Sequence, residues 1–233
     1  MLDTRRFDVP RYLSVLPLFS DLDAPATARL AQGCQLRRHE RGDTVFRQGE
    51  SCDGFHVVVT GQVKLFVLSP AGQEKVIELV APGNTFGEAM MFLDKPYGVN
   101  AQTLGDTLLL AVSRAAVFAE VQSDPRFALR LLAGLSRRLH GLVQDVQAYA
   151  LQNGAQRVIG YLLREHEERE GGSGVGELTV SLPVSKATLA SRLSLTPEYF
   201  SRVLRELESA RLIEVDKRDI HILDAQRLAA YQA

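Results

Sequence analysis

Four polar side chains at helical spacing carry the clearest chemistry in this sequence. Glu198, Ser201, Arg202 and Arg205 stand at i, i+3, i+4 and i+7, which lines them up on one face of a helix. Phe200, Val203, Leu204 and Leu207 repeat the same spacing on the opposite face and form an apolar stripe that packs inward. A helix anchored by one face presents the other to a partner. Arg202 can make a bidentate contact to guanine O6 and N7, Glu198 can accept from a cytosine N4 amine, and Ser201 can reach a thymine edge or methyl. Arg205, Lys186, Lys217 and Arg218 suit phosphate contacts, which fix register without reading bases. Thr196 and Tyr199 complete this DNA-facing set.

The remaining reactive side chains form no constellation. The histidines are His39, His56, His140, His166 and His221, and no His-x-His pair occurs. A metal enzyme of the cupin type needs such a cluster, so that alternative is disfavoured, and no metal site is expected. P-loop and nucleophile-elbow patterns are absent as well. The chain does not read as an enzyme.

The elements that must position the polar face are legible. Ser185 is a good N-cap for a helix over Lys186 to Leu193, Ser194-Leu195 makes a short turn, and Thr196 caps a second helix with Pro197 at its first position. A short helix, a tight turn and a second helix with a polar face make a helix-turn-helix, whose second helix enters the major groove. The pattern alone equally admits an ordinary helical hairpin with a solvated face. Within Ser185–Arg218 there are seven Lys and Arg against five Asp and Glu, a local excess of two. Two strands, Leu212 to Val215 and Asp219 to Leu223, flank the turn Asp216-Lys217-Arg218, which predicts a wing with a basic tip.

Upstream the chain has two further zones. From Gln35 to Val112, short apolar and β-branched runs (Phe55 to Thr60, Val63 to Leu68, Lys75 to Val80, Thr107 to Val112) alternate with glycine-containing turns. This is a roll or sandwich, and Val63 to Val67 alternates so loosely that both its faces are expected to be covered. Asp23 and Pro25 open a short helix ending near Gly33. The run Tyr12 to Phe19 contains Pro17 and is followed by acidic residues, so it reads as a short surface helix or arm rather than a signal peptide. The second zone is one long helix starting at Asp124-Pro125. Leu132, Leu135, Leu139, Leu142, Val146 and Tyr149 are spaced 3, 4, 3, 4, 3, a heptad seam that predicts a homodimer. The competing reading is a helix packed on its own domain. A helix from Ala155 to Glu168, with Val158, Tyr161, Leu162 and Leu163 inward, leads into the loop Glu170 to Gly176 and a strand from Glu177 to Leu182.

Composition bounds the function classes. The 233 residues are 45% hydrophobic and 24% charged, enough apolar content for a sizeable core. With 27 Lys and Arg against 28 Asp and Glu, a strongly basic nucleic-acid coat is excluded, whereas a local basic surface is not. No stretch reaches the roughly 18 apolar residues of a membrane helix. The two cysteines, Cys34 and Cys52, cannot build a disulfide framework, and the chain reads as cytoplasmic.

Three segments carry a resemblance that covers nearly the whole chain: Arg41-Gly42-Asp43-Thr44-Val45-Phe46-Arg47-Gln48-Gly49-Glu50, Val59-Thr60-Gly61-Gln62-Val63-Lys64 and Phe86-Gly87-Glu88-Ala89-Met90-Met91-Phe92. With the helix-turn-helix behind them, they resemble the CRP/FNR transcription regulators. The resemblance implies an α+β fold: a sensor β-roll of the cyclic-nucleotide-binding (jelly-roll) type with N-terminal helices over 1–124, a dimerisation helix over 125–151, and a winged helix-turn-helix DNA-binding domain over 152–233. It implies double-stranded DNA, a second copy of the chain and RNA polymerase as partners, and no membrane. Glu198-x-x-Ser201-Arg202 is similar to the FNR-type signature, whose family binds palindromes of the form TTGAT…ATCAA. Ser194 departs from the glycine often seen in the turn.

The resemblance also frames the signal. In cyclic-nucleotide binders of this fold a Gly-Glu pair is followed about ten residues later by an arginine that neutralises the phosphate. Gly87-Glu88 match, but Pro96-Tyr97-Gly98-Val99-Asn100-Ala101 contains no arginine, so a cyclic-AMP-responsive regulator is the alternative rather than the expectation. Iron–sulfur oxygen sensors of the family use four cysteines, which this chain lacks. Gln73-Glu74-Lys75 and Asn84 to Phe92 look like the DNR group, nitric-oxide-responsive relatives linked to haem and denitrification. Haem is therefore the cofactor the resemblance implies; it needs an axial ligand, and His140, beside the helix seam, and His56, on a strand, are the histidines to weigh, each with a structural or solvated role as the competing reading. Gly87, Glu88, Met90, Met91 and Phe92 form the expected effector pocket with His140; a small apolar or anionic effector, or plain core, are the other readings of the same residues.

Overall fold

In the computed structural model the described residues are 7–16, 18–19, 22–170, 178–182 and 184–231. The expected glycine-rich loop after Glu170 lies outside them. The chain divides into two compact units, residues 1–141 and 142–233, and the boundary falls inside the long helix.

The first unit begins with a correction. The run read as a surface helix or arm folds inward. Asp8 caps α1 (Val9–Ser14), accepting from the Arg11 amide at 3.0 Å, and Leu13, Leu16 and Phe19 are buried. The Phe19 ring lies 6.4 Å from that of Phe55 and 6.0 Å from that of Phe127. Large apolar side chains so close in sequence are worth roughly 1.5–3 kcal/mol each when buried, which outweighs exposure of the arm. Asp23 then caps α2 (Ala24–Gln32) through the Ala26 amide at 2.8 Å, with Pro25 in the first turn.

The roll follows as β1 (Cys34–His39), β2 (Thr44–Phe46), β3 (Gly54–Thr60), β4 (Val63–Leu68), β5 (Glu74–Val80), β6 (Thr85–Phe86), α3 (Glu88–Leu93), β7 (Asn100–Thr103) and β8 (Thr107–Ser113). Its strands make two four-stranded antiparallel sheets, in the orders β1-β8-β3-β6 and β2-β7-β4-β5. The first half of β4 is covered on both faces as expected. Val63 and Leu65 are buried, and so is Lys64 between them, its ammonium 2.5 Å from Glu74 and 4.5 Å over the Phe66 ring. Gly87 starts α3 at φ 95, and a Cβ there would come within 3.2 Å of the Tyr97 ring, so this position requires glycine twice over.

After α4 (Arg114–Ser123), α5 (Pro125–Leu151) runs for 27 residues, and Asp124 caps it through the Arg126 amide at 3.0 Å. The second unit adds α6 (Gly154–Glu170), β9 (Leu178–Ser181), α7 (Lys186–Arg192), α8 (Pro197–Ser209), β10 (Ile213–Asp216), β11 (Asp219–Ile222) and α9 (Ala225–Ala229). Val158, Tyr161 and Leu162 are buried on α6 as expected, with Leu163 only partly so; Ile159 is buried too. The wing is a three-stranded antiparallel sheet in the order β10-β11-β9. The pairing of β9 with β11 has no local signature in the sequence, because it joins strands separated by the whole helix-turn-helix. Among the described residues no helix is long and apolar enough to cross a membrane.

Candidate nucleic-acid interface and effector cavity

The polar face of α8 is positioned by its caps and its apolar face. The Thr196 hydroxyl accepts from the Tyr199 amide at 3.2 Å, and Phe200, Val203, Leu204 and Leu207 are buried. Glu198, Arg202 and Arg205 are thereby exposed, with Ser201 half-buried between them. The Arg202 guanidinium lies 4.6 Å over the Tyr199 ring, and its Nε is 3.6 Å from Glu206. Tyr199 is itself wedged against the start of α6: a Cβ on Gly154 would fall 2.4 Å from its ring. Tyr199, read from the sequence as DNA-facing, is thus the platform that holds Arg202. Arg205 Nε donates to the Ser201 carbonyl at 3.3 Å.

Ser185 caps α7 through the Thr188 amide at 3.2 Å, and Lys186 follows at the first helical position, half-buried. The turn into α8 passes through Ser194 at φ 56, a left-handed conformation that glycine adopts more readily. Arg157 of α6 supports this turn, donating from Nη1 to the Leu193 carbonyl at 2.9 Å. No sequence pattern marked Arg157, because its partner is a backbone oxygen 36 residues away. Lys217, at φ 54, and Arg218 form the exposed tip between β10 and β11.

On α5 the six residues of the expected seam divide into two groups. Leu132, Leu139, Leu142 and Val146 are exposed, Leu139 and Val146 at 64% each. Leu135 instead is half-buried and lines a cavity, and the Tyr149 hydroxyl turns to α7, where it donates to the Arg192 carbonyl at 2.6 Å. Leu129 and Val143 are exposed in their place. The exposed apolar side chains of α5 therefore include Leu129, Leu132, Leu139, Leu142, Val143 and Val146, with Ser136 on the same face between Leu132 and Leu139.

A cavity of about 370 Å³ lies between the roll and the first half of α5, walled by Leu18, Phe55, Leu131 and Leu135. Arg138 crosses its floor. Nη1 donates to Glu88 Oε1 at 2.7 Å and to the Thr85 carbonyl at 3.1 Å, and Nη2 pairs with Glu78. Burial opposes the charge on Arg138, but the Glu78 and Glu88 carboxylates outweigh it and raise its pKa. Glu88 is only 8% exposed, and its Oε2 has no hydrogen-bond partner.

Of the expected effector set, Glu88 alone lines this cavity. Met91 is core, Phe92 packs on Phe118 at 5.8 Å, Met90 and Phe92 pack against the core, Gly87 serves the start of α3, and His140 is exposed on α5. The segment without arginine is filled by a ring: Tyr97 is buried and stacks on Phe46 at 3.5 Å and 2°. Among the described residues no three His, Cys, Asp or Glu side chains gather to hold a metal.

A second feature of the roll interior is His56. It is 8% exposed, sits between Phe46 and Phe86 at 5.8 and 5.1 Å, and leaves Nδ1 unpartnered. Burial, aided by Arg37, pushes its pKa down to about 4, so the imidazole is neutral at physiological pH.

Comparison with known proteins matches both units. A cyclic nucleotide-binding domain profile covers residues 36–124, and a Crp-like helix-turn-helix domain profile covers residues 156–231. The chain is 26% identical over 212 residues to the CRP-like cAMP-activated global transcriptional regulator of Mycobacterium tuberculosis strain H37Rv, covering 91% of this chain and 94% of that one. It is 36% identical to DNR from Pseudomonas aeruginosa, covering both chains in full with a TM-score of 0.52. FixK2 from Bradyrhizobium japonicum shares the fold at a TM-score of 0.75 and 22% identity, over 86% of this chain and 98% of that one.

Proposed function

The chain belongs to the CRP/FNR family of transcription regulators, and from that premise we propose that it binds a palindromic operator as a homodimer under the control of a small effector held between roll and α5. The observation that carries the DNA reading is α8, with one face locked in the core and Arg202 presented on the other over the Tyr199 ring. Two such helices, one from each copy, meet successive major grooves about one turn apart. Arg202 reads guanine, Glu198 cytosine and Ser201 thymine, while Arg205, Lys186, Lys217 and Arg218 hold phosphates. The Glu198-x-x-Ser201-Arg202 pattern favours half-sites of the TTGAT type. The exposed α5 stripe supplies the dimer contact, and RNA polymerase is the further partner that transcription control requires.

Fluorescence anisotropy with a TTGAT…ATCAA duplex and a scrambled duplex tests this. Arg202→Ala should lose about 1–3 kcal/mol on the palindrome and little on the scrambled duplex. Lys217→Ala should weaken both alike and reduce the salt slope by about one. Equal losses on both duplexes for both variants would refute the recognition-helix assignment.

For the effector, the arrangement favours a ligand that competes for Arg138. A ligand moves an equilibrium only by binding its two states differently. Arg138 ties α5 to Glu78 and Glu88 of the roll, so a molecule that takes either carboxylate, or the guanidinium, alters that tie directly. The kinship with DNR supports a nitric-oxide-type regulator. Haem iron, however, is held by His, Cys, Met or Tyr, and none of these lines the cavity. The residues of this cavity do not fit that cofactor.

A further inference from the structure

The last turns of α5 grip α7 through a compact polar cluster. Asp145 is 8% exposed, and its Oδ2 accepts from Arg192 Nη2 at 2.5 Å. Arg192 Nη1 donates to the Tyr149 hydroxyl at 2.6 Å, and that hydroxyl returns a hydrogen bond to the Arg192 carbonyl at 2.6 Å. Arg164 of α6 stands 3.8 Å from the other carboxylate oxygen, and the Arg157 guanidinium lies 5.8 Å over the Tyr149 ring. Arg192 belongs to the first helix of the helix-turn-helix, where a free cation would serve a phosphate. Here its charge is spent inside the protein, with 20% of its side chain exposed.

The consequence is mechanical. Leu189 and Ala190 of α7 and Leu193 at its C-terminal cap are buried together with the apolar face of α8, and the Leu195 amide donates to the Ala190 carbonyl at 2.8 Å. The two helices form one packed body, and interiors packed to that density transmit displacement rather than absorb it. What holds the end of α7 therefore aims α8. We propose that Asp145 and Tyr149 are positioning residues for operator binding, which clamp Arg192 so that the recognition helix is carried by the last turns of α5. The inference rests on the DNA-binding reading for its purpose, while the clamp itself is testable without DNA.

Two measurements test it on the full-length protein. The first compares the palindrome at its natural half-site spacing with one lengthened by a single base pair, which rotates one half-site by about 35°. The native protein should discriminate between them. Asp145→Asn and Arg192→Gln should each lose that discrimination by about tenfold, with the salt slope unchanged because no phosphate contact is removed. Their double variant should be no worse than Arg192→Gln alone, since that change already removes the partner of Asp145 along with the Tyr149 contact. A merely structural role would instead weaken all duplexes equally and leave the spacing preference intact. The second measurement is a spin-label distance between Gln147→Cys on α5 and Ser209→Cys on α8. Its distribution should be narrow in the native background and broad with Asp145→Asn. An unchanged width overturns the proposal whatever the DNA results; failure of the native protein to bind the palindrome, with the width broadened as expected, overturns the operator reading alone.

Discussion

His56 shows how a single side chain couples the roll to pH. Its imidazole is enclosed by Phe46 and Phe86 and stays neutral because burial disfavours the charged form, lowering its pKa from 6.5 to about 4. The unfolded chain takes up this proton near pH 6.5 and the folded one only near pH 4, so stability is full above the higher value and falls as pH drops towards the lower. Between pH 6.5 and 5 the loss is about 2 kcal/mol. His56→Phe should flatten that part of the pH profile in denaturant titrations at pH 7 and 5; an equal loss in both proteins would assign the acid sensitivity elsewhere. At this scale Arg202 and Glu198 were legible in the sequence from type and spacing. Their supports, Tyr199 beneath Arg202 and Arg157 beneath the turn, were not legible as such, because each acts on something distant in sequence.

The elements were read with few errors because their signals are local. Asp23, Asp124, Ser185 and Thr196 each cap the helix they were expected to open, since a side chain and an amide two or three residues on settle the matter between themselves. The long helix is more instructive. Heptad spacing located an apolar stripe, but registers that share Leu132, Leu139 and Val146 fit it with Leu135 or Ser136 and with Leu142 or Val143 between, and burial separates only the first of those pairs. Leu135 and Tyr149 are engaged by their own chain, whereas Leu129, Leu139, Val143 and Val146 are not buried within it. In the proposed dimer, Leu139→Glu places like charges against each other across the α5 contact. Light scattering at micromolar concentration should then report a monomer, and operator affinity should fall with it. A dimer of unchanged stability would remove α5 as the interface.

At the scale of the molecule, the proposed control of DNA binding turns on the cavity below α5. Glu88 and Arg138 are close to 50 residues apart in sequence and meet there with Glu78. The cavity carries apolar walls, a clamped cation and one unpartnered carboxylate oxygen, and no side chain suited to haem iron. Titration of haem into the purified protein should therefore give no saturating Soret shift at one equivalent per chain. A stoichiometric, shifted Soret band would place an axial ligand outside this lining and restore the haem reading.

The near-balance of acidic and basic residues leaves room for a local basic surface, and Arg202, Arg205, Lys217 and Arg218 stand exposed on one helix face and one wing tip. Sequence alone determined the order of roll, long helix and winged helix-turn-helix, the caps and the polar face of the recognition helix, because these depend on residue type and short-range spacing. Tertiary structure decided which apolar residues of α5 stay exposed, the inward fold of the N-terminal run, the contact of Tyr199 with Arg202 and the ion pairs of Arg138 and Arg192. Each of those turns on which surface a side chain meets across the fold, and an exposed and a buried arginine are written with the same letter.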